Sequence, residues 1–437
     1  HLGIPLPHIT LIQEHVSILS RRPLPRPTHA DFFHTPTLRG GSDIQTPGHP
    51  RQSPALRAAA VHRKPRRPGC VGVARTTVIG MTASLSPDQA RGLRHRAQLL
   101  GGSTLSPREV VDRAVALQGQ DLPAVLRAIA LRSAPGTTVD DVRAAFDSGE
   151  LVRSWPMRGT LFATTPEHLA SLLALTGTRT LQSMARRREQ LGLDDATIDH
   201  AHEVAVAALE TTPLRRADIL ATWEDAGIST DGGRGYHLLV HLCISGLAHW
   251  GAFTPDGSEQ FLTRTKTPRE TDTDAALSRI VTGYVAARGP VTLDDLAWWT
   301  KLPKTGLRAA AASVDRIELA QLGEKPVYLD AAASASADSN WQGSAETVTL
   351  VPAFDEWILG YADRSLVASD AMFDALVPGK NGVFRPAVLV DGVVVGTWRF
   401  SAPRGAKSRT PVVELLEPVS KRTVTLIDDA LAAWPHD

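Results

Sequence analysis

Cysteine is nearly absent: the 437-residue chain has two, Cys70 and Cys243, and they are widely separated. That argues against a disulfide framework, a cysteine-based zinc site and an iron–sulfur cluster. Aromatic residues make up only 5% of the chain. No run of about 18 apolar residues occurs, so no transmembrane helix is expected. A G-x-S-x-G elbow, a Walker loop and a dinucleotide fingerprint are all missing, which removes the commonest hydrolase and nucleotide-binding classes. What is present is 43% hydrophobic and 21% charged residues with 30 prolines. This is enough apolar material for several cores and excludes a wholly disordered chain. At roughly 100–200 residues per domain, two to four domains are expected. The composition reads as a soluble cytoplasmic protein.

The net charge of +1 is unevenly spread. Residues 1–80 carry 11 Lys and Arg against three acids, leaving 36 basic and 43 acidic residues in 81–437. An acidic body argues against strong non-specific nucleic-acid binding, so any DNA contact must come from a local basic face. Residues 1–80 also hold 11 of the 30 prolines and 7 of the 15 histidines, with no sustained helical or strand period. They read as a disordered basic extension outside the functional protein, which would span 81–437 from Met81. A flexible basic tail and a transit peptide are the alternatives.

From 81 onward the texture is mainly helical with α+β character. Ser86–Pro87 and Ser106–Pro107 are helix starts. The second predicts a helix through LSPREVVDRAVALQGQ, with Val110, Val111, Ala114, Val115 and Leu117 on one face. Two further helices follow, the first capped by Asp121 and the second ending at Gly149, and then the strand-like LVRSWPMRGTLFATT. Three helices and a hairpin outline a winged helix. Related cap-helix-turn-helix patterns recur from Thr212–Pro213 and from Pro290. The expected layout is winged helices over 81–175, 176–272 and 273–330, a linker at 331–346, and a β-rich module at 347–437. In that module Asp391–Gly392 is a hairpin signal.

Five strings occur in order: ALQGQ, RSWPMRGTLF, GPVTLDDLAWW, FDEWILGYADRS and VDGVVVGTWR. Together they resemble the AlkZ-like winged-helix DNA glycosylases, over about residues 85–435. The resemblance implies hydrolysis of the N-glycosidic bond of N7-alkylated purines, including bulky adducts and, in some members, interstrand cross-links. It assigns catalysis to a Gln-x-Gln or Gln-x-Asp motif, the first form matched here by Gln118 and Gln120. The chain departs from the family at Phe162, where RGTLH is common.

Two amides suit that chemistry. An N7-alkylated purine already carries a positive charge and departs as a neutral base without an acid. What remains is to place a water near C1′ and stabilise the oxocarbenium ion. A glutamine offers one acceptor and two donors, so two at i and i+2 can hold one water between them if the segment leaves helical geometry just after Leu117. Taken without the family context, two glutamines at a helix end are ordinary solvated or capping residues.

Other candidates follow from position. Arg153, Arg158 and Thr160 fall on the expected wing, where they reach phosphate or simply form a polar strand edge. Trp155 either wedges against a base or packs. Asp355, Asp363 and Arg364 match the family string FD…DR and read first as an internal Asp–Arg brace, second as a DNA contact. Arg186, Arg187 and Arg188 read as a solvated face. His237 and His241 have metal-ligand spacing but no acidic or cysteine company, so no metal and no cofactor is expected. The partner expected is alkylated double-stranded DNA, bound by a monomeric, monofunctional glycosylase and with no membrane. Bound to DNA, the protein would be nucleoid-associated. A non-catalytic winged-helix DNA-binding protein or regulator is the alternative.

Overall fold

A computed structural model describes residues 83–335, 346–379, 382–401 and 410–434. All of them lie in one compact unit. The extension 1–80 and residues 336–345 of the expected linker lie outside the described residues. About 50% of the described chain is helix and 19% strand, an α+β fold.

Local chemistry sets the helix starts. Ser86 and Ser106 each accept a hydrogen bond from the backbone three residues on, and Gln89 and Glu109 reach back to the cap N–H. Such a capping box is worth about 1 kcal/mol per cap. Asp121 caps the helix Leu122–Arg132 by accepting the Ala124 N–H at 2.9 Å.

The strands are β1 (Ser84–Leu85), β2 (Ala116–Gln118), β3 (Val152–Met157), β4 (Thr160–Thr164), β5 (Ala248–Phe253) and β6 (Gln260–Arg264). They continue with β7 (Ile317–Leu322), β8 (Lys325–Asp330), β9 (Val348–Val351), β10 (Ala387–Val390), β11 (Val393–Ser401) and β12 (Thr410–Leu415). They form three sheets, ordered β2-β4-β3-β5-β6, β1-β7-β8 and β12-β11-β10-β9. The first draws on two segments that the sequence reading set apart. Arg153 of β3 faces Trp250 of β5 in an antiparallel pair, so both hairpins share one sheet. In the third sheet, Asp391 (φ 46°) and Gly392 (φ 77°) make the two-residue turn between β10 and β11.

Apolar side chains gather in separate clusters along this frame. Phe162, Tyr284 and Trp299 share one, and Trp155, Trp223 and Trp250 share another. Trp398 and Trp434 close the C-terminal sheet against the helix Lys421–Ala432.

Candidate active site

The helix that opens at Pro107 stops short of Leu117, where the sequence placed its end. It ends at Ala114, and Val115 takes φ 66° before the chain extends into β2. A β-branched residue in that region carries strain of order 1–3 kcal/mol, sustained here by complete burial. The helical expectation fails for a clear reason. Ala114, Val115, Ala116 and Leu117 are all buried, and a short strand buried on both faces has the same apolar run as a helix.

β2 pairs with β4 so that Gln118 lies opposite Phe162, and the Gly119 N–H donates to the Leu161 carbonyl at 2.8 Å. A Cβ on Gly119 would sit 2.9 Å from the Ala163 nitrogen. The residue between the glutamines must therefore be glycine. Both glutamines fold back on β4. Gln118, buried, accepts the Thr160 hydroxyl at 3.4 Å through Oε1. Gln120, exposed, accepts the Leu161 N–H at 3.2 Å. Neither Nε2 amide has a hydrogen-bond partner among the described residues. Each side chain keeps two donors for something else.

Behind β2 lies a lattice of buried charge. The Gln118 N–H donates to Glu356 Oε1 at 3.1 Å. The other carboxylate oxygen, Oε2, accepts from Arg288 Nε at 3.0 Å and Trp299 Nε1 at 3.3 Å. Arg288 also donates to the carbonyls of Ala114 (2.9 Å) and Ala116 (2.8 Å), on either side of the strained Val115. Next to Glu356, Asp355 takes a two-pronged contact from Arg132 at 2.8 and 2.9 Å. Sequence reading gave no sign of Glu356 or Arg288, whose partners lie far along the chain. Adjacent acids followed by the apolar Trp357–Leu359 were the only local signal.

The remaining sequence candidates divide. Arg153 braces the motif: Nη1 donates to the Gly119 carbonyl at 2.9 Å and Nε to Gln260 at 2.8 Å, and burial draws its guanidinium down to about 10. Trp155 is buried, edge-on to Tyr236 and Trp250. Phe162 is fully buried, edge-on to Trp299 at 6.0 Å.

The Asp–Arg brace expected within FD…DR does not form. Asp355 reaches Arg132 instead, because the latter's helix end packs against it. Asp363 pairs with Lys325 at 2.7 Å, and that lysine with Ser365 holds its carboxyl well below the usual range. Arg364 donates to the Ile358 carbonyl and lies 5.0 Å over Trp298. His241 bonds to His202 at 3.1 Å rather than sharing a site with His237. Arg188 lies 3.7 Å from Asp195 and 3.4 Å from His241, while Arg187 donates to Gln190.

Arg364 is one of three cations around the half-buried Trp298. Arg158, at φ 56° on the β3–β4 turn, lies 4.4 Å from the ring and Lys301 5.8 Å. Burial brings Arg158 down to about 10, and its Nε has no partner among the described residues. Burial, then Arg158, lowers Lys301.

The sequence matches the family described as DNA glycosylase AlkZ-like over residues 111–435. The chain belongs to that family. It is 25% identical over 317 residues to an interstrand DNA cross-link repair glycosylase of Streptomyces sahachiroi, covering 68% of this chain and 82% of that protein. The solved structure of Streptomyces sahachiroi DNA glycosylase AlkZ aligns with a TM-score of 0.67 at 20% identity, covering 80% of this chain and 96% of the other. That likeness establishes a shared fold. As a member of a DNA glycosylase family the chain is a DNA-binding repair protein. Gln118, Gln120 and the Glu356–Arg288 lattice all lie inside the matched span.

Proposed function

We propose that this AlkZ-like glycosylase hydrolyses the N-glycosidic bond of N7-alkylated purines in double-stranded DNA, acting as a monomer and leaving an abasic site. The observation that carries the reading is the pair of unpartnered amides at Gln118 and Gln120 on a rigidly held strand. A positioned water needs fixed donors and acceptors more than it needs a strong base when the leaving group is already cationic. Glu356 is unsuited to act as the base, since both of its oxygens are engaged by the Gln118 N–H, Arg288 and Trp299. Its work is to hold the strand. With no general acid or base in play, the activity is confined to labile cationic lesions.

On this reading the helices and hairpins over 81–175, 176–272 and 273–330 act as winged-helix units, and the cations around Trp298 take the DNA backbone. A Lys or Arg on phosphate contributes affinity without sequence preference. Bulky adducts and interstrand cross-links are proposed as substrates because the curated relative is named for cross-link repair. The test is release of free base from a duplex carrying one N7-methylguanine, then from one carrying a bulky N7 adduct. Release above the spontaneous rate from either supports the proposal. Release from neither, with the duplex still bound, would favour a non-catalytic DNA-binding protein.

A further inference from the structure

A cavity of about 300 Å³ opens beside Gln120, between β3, β5 and the helix Arg234–Ile244, and the mechanism above does not use it. Its apolar wall is three aromatic rings, with Trp155 edge-on to Tyr236 at 6.2 Å and to Trp250 at 6.5 Å. Tyr236, 36% exposed, is one of few large apolar side chains left open to solvent among the described residues. The volume lies at the small end of the roughly 300–1,000 Å³ of small-molecule sites, room for one flat bicyclic ring.

Two charged side chains on the lining, Glu259 and Arg216, indicate what the cavity would hold. The Glu259 carboxylate and the Arg216 guanidinium have no hydrogen bond or ion pair among the described residues. Arg153, by contrast, is already committed to Gly119 and Gln260. An unpaired carboxylate and an unpaired guanidinium in an aromatic slot match one nucleobase edge in particular. Guanine presents two neighbouring donors, N1–H and the exocyclic amine, beside the acceptor O6. A carboxylate takes the donors, and an arginine gives to O6. Adenine has no N1–H for the carboxylate, offering an acceptor there, or a methyl in 1-methyladenosine, and it has no O6 for the arginine.

We propose that this cavity receives a guanine-type base displaced from the helix, with Glu259 on its donor edge, Arg216 on O6 and the aromatic rings against its faces. The choice of a DNA base as occupant rests on the glycosylase reading. The site would make the enzyme discriminate between small alkylated purines, with Gln120 at the rim where the sugar would lie; a bulky or cross-linked base exceeds the cavity and would be met outside it. Extrusion carries an unstacking cost, and a charged, labile lesion is among the easier bases to displace.

The experiment is titration calorimetry of the full chain with 7-methylguanosine and with 1-methyladenosine at mildly acidic pH, where both are cationic purine nucleosides. The parent is expected to bind 7-methylguanosine at least about tenfold more tightly, the discrimination of one good bidentate contact. Glu259→Gln should reduce that ratio to about threefold or less. Tyr236→Ala, an exposed change that spares the core, should weaken both ligands by about threefold to tenfold. Equal affinities in the parent, no binding, or a preference that survives Glu259→Gln would overturn the proposal. Base release from the N7-methylguanine duplex separates the two readings. Release without nucleoside discrimination defeats the cavity alone, and discrimination without release defeats the glycosylase reading alone.

Discussion

The two sides of β2 differ in how their polar groups are spent. Behind the strand, Glu356, Arg288, Arg132 and Asp355 are buried and engaged with one another, and Glu356 and Arg288 also bind the backbone of β2. In front, the Gln118 and Gln120 amides and the Glu259 carboxylate have no hydrogen-bond partner among the described residues. A buried polar lattice tolerates no missing member, whereas an open polar face is useful because its groups remain free. The rear fixes geometry and the front meets substrate, so substitutions on the two sides should act on different observables.

The largest effect should come from the rear. Glu356→Ala leaves Arg288 buried without its counter-ion and should cost about 3–5 kcal/mol of stability, read as a lower denaturation midpoint. A midpoint close to the parent's would show that the lattice is not the support described. Gly119→Ala lies on the boundary. Its new methyl meets the Ala163 backbone nitrogen at 2.9 Å, and the strands must part. About 1–3 kcal/mol should be lost together with most base release.

Acid should weaken the fold before it touches the front. Burial lowers His95, His241 and His249 from 6.5 to about 4. Below pH 6.5 the unfolded chain takes up protons that the folded chain refuses. Stability is therefore full above about 6.5 and declines as the pH falls toward 4. Thermal midpoints across that window check the sign, and a midpoint that rises on acidification would contradict it.

The smallest effect belongs to the cation cluster. Arg158→Gln should leave the unfolding free energy within about 1 kcal/mol of the parent and reduce the salt dependence of duplex binding by about one phosphate contact. An unchanged slope would remove Arg158 from the DNA contact.

The same division explains what the sequence revealed. Caps at Ser86, Ser106 and Asp121 and the Asp391–Gly392 turn are local events, governed by residues within a few positions, and they stand where the pattern placed them. The long helices Pro166–Ser183 and Thr273–Arg288 escaped notice, though Thr165–Pro166 is a start signal like the others. Gln118 and Gln120 were legible only through the family strings, since two glutamines carry no spacing signature of their own. The lattice behind them was not legible at all. Glu356 meets Gln118 across 238 positions and Arg288 across 68, and nothing short of the fold brings those residues together. The misplaced brace at Asp355 follows from the same blindness, because its arginine comes from the far end of another helix.

Single-turnover base release from an N7-methylguanine duplex, comparing the parent chain with Gln118→Ala/Gln120→Ala, tests the central claim most directly. The account predicts a rate at least about 100-fold lower in the double variant, with an unfolding free energy within about 1 kcal/mol of the parent. A double variant that keeps its fold and still releases base at the parent's rate would contradict it.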